Sequence, residues 1–66
     1  MTTVTNAHGK VLDYKAAENM MDETVAEAVH MAISPCTEQE FFDAYCVWHF
    51  AKYGESWELD KPNPVW

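Results

Sequence analysis

Positive charge is what this chain has least of. Its 66 residues carry 4 Lys+Arg against 11 Asp+Glu, a formal net charge of −7. Phosphate backbones and anionic lipid repel such a surface, which argues against direct nucleic-acid or membrane binding and points to a basic protein partner. Long apolar runs are also missing, since none approaches the roughly 20 residues of a membrane span. The opening MTTVTNAHGK has neither the basic nor the apolar region of a secretory leader, so the chain is expected to stay in the cytoplasm where it is made. Cysteine is sparse: Cys36 and Cys46 are too few for a secreted disulfide scaffold, and a reducing cytosol keeps them as thiols. Only two glycines occur and no low-complexity tract. Intrinsic disorder and repeat arrays are thereby excluded.

What remains is a composition rich enough to fold, 48% hydrophobic and 14% aromatic. It makes one domain, close to the size at which a single core barely stabilises a fold, so a disulfide, a metal or a partner subunit is expected to help. The expected class is mainly α with a small N-terminal β-hairpin, an α+β fold of two or three helices with the C-terminal helix central.

Four stretches divide the chain. Residues 2–12 read as a hairpin: the β-prone runs Thr2–Thr5 and Lys10–Leu12 flank Asn6-Ala7-His8-Gly9, where asparagine and glycine supply turn chemistry and Gly9 takes positive φ. Residues 13–33 are a helical segment with Asp13 placed as N-cap. Tyr14, Ala17, Met21, Val25 (or Thr24), Ala28 and Ala32 recur there at the helical period. Asp22 is a candidate second cap, so one bent helix or two short ones fit equally. Ser34-Pro35 ends the segment. Residues 37–54 are a helix, opened by a Thr37/Glu40 capping box and closed by Gly54, with Lys52 in the last turn. Residues 55–66 form a non-helical tail in which Trp57 and Leu59 fold back and Pro62 and Pro64 hold the end extended.

The helix at 37–54 is apolar around most of its circumference. At about 100° per residue, Phe41, Ala44, Tyr45, Trp48 and Ala51 make one stripe, and Phe42, Cys46, His49 and Tyr53 a second, with Phe50 beyond. A helix so widely apolar is central to its domain or shared with another chain. Phe41, Tyr45 and Trp48 are expected to face inward toward Met21, Val25 and Ala28. Phe42, Cys46, His49, Phe50 and Tyr53 are then left for a second copy, a homodimer.

The pattern T-N-x-x-G-x-x-x-D-Y (Thr5, Asn6, Gly9, Asp13, Tyr14), P-C-T-E-Q-E-F-F-D-A-Y-C (Pro35 to Cys46) and H-x-x-K-Y-G-E (His49 to Glu55) resembles small acidic proteins encoded by phages and mobile elements of gut bacteria. The resemblance covers most of the chain. It implies a bacterial or phage context and brings no functional residue with it.

Candidate sites follow from charge and ligand chemistry. Glu18, Asp22, Glu23 and Glu27 run along the helical segment, and Glu38, Glu40 and Asp43 open the next helix. Together they form an acidic face able to steer a basic partner, with plain solubility as the alternative reading. His30, Cys36, Cys46 and His49 are soft-metal ligand types, but no C-x2-C knuckle exists and no metal or other cofactor is expected. Cys46 with His49 lacks the electropositive setting of a nucleophile, and paired carboxylates in so small a helical domain have little room for a substrate pocket. The chain is expected not to be an enzyme. Size, acidity and context point to a protein that binds and inhibits a basic host protein, one that itself handles nucleic acid, as an anti-defence factor of the anti-CRISPR kind. A structural or regulatory homodimer and a zinc-stapled domain are the alternatives.

Overall fold

A computed structural model of the protein describes residues 2–62. Two strands, β1 (Thr3–Thr5) and β2 (Val11–Asp13), are followed by helices α1 (Tyr14–Asn19), α2 (Glu23–Ile33) and α3 (Glu38–Tyr53) and a single 3-10 turn at Glu58–Asp60. The fold is therefore α+β with an N-terminal hairpin, the class that the sequence predicts.

The strands pair antiparallel with Val4 opposite Leu12. Both of these side chains point into the core and their neighbours point out, the alternation a half-buried ribbon requires. Asn6 makes the turn. Its backbone N–H donates to the Lys10 carbonyl at 2.9 Å, and its side-chain Oδ1 accepts from His8 N (2.9 Å) and Lys10 N (3.0 Å). Gly9 sits at φ 83, a conformation costly for any residue with a Cβ.

The helical segment is two helices. Asp22 caps α2 by accepting from Thr24 N (2.8 Å) and Val25 N (3.4 Å), which stabilises a fresh start there. Asp13 ends β2 and stands at the N-cap of α1, but its side chain makes no capping bond. The break also resets the helical phase. Ala17 and Val25 are buried as the periodicity predicts, but the next inward residue is Val29; Ala28 is half-buried and Ala32 exposed.

The capping box on α3 forms in full. Glu40 N donates to Thr37 Oγ1 at 3.1 Å, and Thr37 N donates to Glu40 Oε1 at 3.2 Å. Gly54 closes the helix in the left-handed conformation at φ 73, its N–H donating to the Phe50 carbonyl at 2.8 Å.

Which side of α3 faces inward differs from expectation. Phe42, Tyr45 and Cys46 are buried, Phe41 is half-buried, and Trp48 is 39% exposed. The cover comes from the chain's own tail. Trp57 stands edge-on to Tyr45 at 4.5 Å between ring centroids and tilted against Phe42 at 5.7 Å, with Leu59 buried beside them. Such aromatic pairs contribute beyond their buried area, about 0.5–1.5 kcal/mol each. The tail thus covers this side of α3, and Phe42 and Cys46 are buried within the chain itself. Pro64 lies outside the described residues.

Candidate functional site

Four of the seven acidic residues predicted as a partner-binding face converge on one feature. A cleft of about 750 Å³ opens between α1, α2, the 34–37 connection and the start of α3. Glu18, Glu23, Glu27 and Glu38 stand on its walls, Tyr14, Met21, Ala26 and Phe41 supply apolar surface, and His30 and Cys36 lie at the end near Pro35. No lysine lines it. The geometry follows from local structure: the break at Asp22 turns α2 away from α1, and the proline connection brings the acidic first turn of α3 to face both.

Tyr14 registers the field in this cleft. Its hydroxyl pKa is pushed up from 10.0 to about 12, first by burial, then by the Glu18 carboxylate, then by Glu38 and Cys36. Negative charge around a phenol disfavours the phenolate. Sequence reasoning treats Tyr14 as a core residue only, although the Tyr14–Glu18 spacing of four on a helix is the signal that pairs them.

The other three acidic residues have structural tasks. Asp22 caps α2 and also accepts a hydrogen bond from the Tyr53 hydroxyl; that bond, ahead of the cap itself, holds its carboxyl below the usual range. Its backbone N–H donates to Tyr45 Oη at 2.6 Å. Glu40 completes the capping box. Asp43 accepts from Gln39 Nε2 at 3.0 Å and lines a different groove, with Ala7, Cys46, Val47, Phe50 and Asp60.

The residues predicted for self-association are similarly divided. Phe42 and Cys46 are buried in the chain's own core, His49 is half-buried between the rings of Tyr45 (5.9 Å) and Tyr53 (4.8 Å), and Tyr53 is tied to Asp22. Phe50, 55% exposed, has the most open ring of the five. The soft-ligand set is separated as well: His30 and Cys36 line the cleft, while Cys46 lines the groove. Both cysteines are free thiols. Among the described residues, no three His, Cys, Asp or Glu side chains group as metal ligands. No helix of the described residues is long and apolar enough to cross a membrane.

The profile of a family described as anti-CRISPR protein AcrIC5 matches residues 5–57. The chain belongs to the AcrIC5 family of anti-CRISPR proteins. The matched span runs from the end of β1 through Trp57, so it takes in the whole cleft, the groove except Asp60, and the aromatic residue that covers α3. No curated protein shows a significant match to the chain. Membership agrees with the phage context that the sequence resemblance implies, and it makes the partner a protein of the host defence machinery.

Proposed function

We propose that the protein inhibits a CRISPR effector by seating its acidic cleft on a basic surface where that effector handles nucleic acid. The observation that carries this reading is the convergence of Glu18, Glu23, Glu27 and Glu38 around one concave feature without a lysine among them. Like charges held together raise the local potential, and a concave low-dielectric wall focuses it onto a basic partner. The apolar strip of Met21, Ala26 and Phe41 between the carboxylates adds area that an ordinary solvated acidic face lacks. Inhibition then needs no catalytic residue: an occupied groove excludes guide or target strand. Salt sensitivity belongs to the same reading, since exposed charge pairs are screened over about 8–10 Å at physiological ionic strength.

The experiment is a phage plaque assay in a host whose CRISPR system targets that phage. A variant with Glu18, Glu23, Glu27 and Glu38 all changed to Gln should lose protection of the phage. A variant with Glu55→Gln and Glu58→Gln, of lower charge but with the cleft intact, should keep it. Equal protection by both variants, with both folded by circular dichroism, would reject the cleft as the inhibitory surface.

A further inference from the structure

The cleft leaves a second surface unexplained. On α3, Val47 is 67% exposed and Phe50 55% exposed, and with Ala7 and the edge of Cys46 they form an apolar groove of about 420 Å³. Three separate segments build it. The hairpin turn brings Ala7, the 58–60 turn brings Asp60, and α3 brings the rest. These segments are fixed to each other: Asn6 Nδ2 donates to the carbonyls of Leu59 (2.9 Å) and Lys61 (3.1 Å), and Ala7 N donates to Asp60 Oδ1 at 3.5 Å. The groove is therefore a held shape.

Its rim carries charge of one sign. Asp43 and Asp60 both border the groove, and among the described residues neither is paired with a lysine; the ion pair found there is Lys61 with Glu58. Asp43 accepts from Gln39, and Asp60 accepts from the Ala7 amide and from the Cys46 thiol, so both carboxylates are oriented at the rim. The Cys46 thiol between them feels both: its pKa is pushed from 9.0 to about 12, by burial first and then by Asp60 and Asp43.

We propose that this groove is a second docking point, which takes an arginine side chain of the partner protein. The aliphatic stem of an arginine lies on Val47 and Ala7, its guanidinium plane lies against the open face of Phe50, and its fork of N–H donors reaches the two carboxylates. A second copy of this chain is the poorer occupant, because a two-fold contact centred here would set Asp43 and Asp60 against their own images. A plain apolar anchor would leave both carboxylates partly desolvated without a counter-charge. The inference rests on the reading that the partner is a basic protein, and adds a contact distinct from the cleft.

The test is a residue-resolved NMR titration of the full, isotope-labelled chain with acetyl-Leu-Arg-Leu-amide and with the same peptide carrying citrulline, which keeps the shape and removes the charge. Saturable shifts are expected at the amides of Ala7, Val47 and Phe50 with the arginine peptide, and at least about tenfold weaker binding with citrulline. Asp43→Asn with Asp60→Asn should weaken the arginine peptide by a similar factor, and Phe50→Ala should weaken it without altering the charge. Equal binding of both peptides, or no groove shifts at all, overturns the proposal. Shifts confined to the cleft residues between Tyr14 and Phe41 overturn it while leaving the cleft reading intact. Groove shifts that grow with protein concentration alone would give the surface to a second copy, and the same shifts on removal of residues 63–66 would give it to the chain's own end; either outcome overturns it.

Discussion

The side-chain amide of Gln39 takes the place of a third strand for Thr5. Gln39 Oε1 accepts from Thr5 N at 2.8 Å, and Gln39 Nε2 donates to Thr5 O at 3.0 Å. A two-stranded ribbon is marginal alone and leaves edge groups unpaired. Here the first turn of α3 closes that edge with one residue, and the same amide goes on to hold Asp43. Gln39→Glu should break this arrangement more than Gln39→Ala does. It removes the donor and sets a second carboxylate beside the Thr5 carbonyl and Asp43. A loss of roughly 1–2 kcal/mol is expected for Glu, and about 1 for Ala, by urea denaturation.

Trp57→Ala should be the most damaging single change in the tail. Trp57 is 5% exposed and covers Phe42 and Tyr45. Truncating a buried tryptophan costs about 3–5 kcal/mol, a large part of the stability of so small a domain. The wild type is expected to sediment as a monomer at micromolar concentration. The variant, its aromatic stripe uncovered, should lose cooperative melting and associate.

The pattern of burial on α3 was only half legible in the sequence. The ends of the helix were plain, because Thr37, Glu40 and Gly54 act through local geometry that any context preserves. Orientation was not, because a helix apolar on nearly every side has no distinct inward face; Phe42 is buried and Trp48 exposed only because Trp57 and Leu59 return over that side. The hairpin turn was readable from Asn6 and Gly9, but Asn6's grip on the tail was not. Of the seven acidic residues the sequence singles out, four meet at the cleft. The sequence did not reveal that Asp22, Glu40 and Asp43 are engaged locally, since a capping carboxylate and a solvated one look alike until the backbone is placed.

Alkaline pH should destabilise the fold. Burial, with nearby carboxylates, pushes the Cys46 thiol and the Tyr14 hydroxyl up to about 12 from 9.0 and 10.0. Because both native values are raised, the stabilisation is fully present below about pH 9 and is lost as pH climbs toward 12. Urea midpoints measured between pH 8 and pH 11.5 should fall steadily above pH 9. Cys46→Ser with Tyr14→Phe should flatten that fall.

Thiol labelling should separate the two cysteines. Cys36 is half-buried at the open cleft, and Cys46 is 7% exposed with its thiolate disfavoured. The thiolate is the reactive form. One equivalent of a maleimide should react at pH 7.5 in the native protein, at Cys36, and the second only in denaturant. Rapid reaction of both would show that the groove opens in solution.

Asn6 joins the first turn of the chain to carbonyls 53 and 55 residues later. That link ties closure of the hairpin turn to the docking of residues 57–61. Until that segment docks, the apolar side of α3 has no lid, and closing so long a loop is the entropic toll of sealing the core.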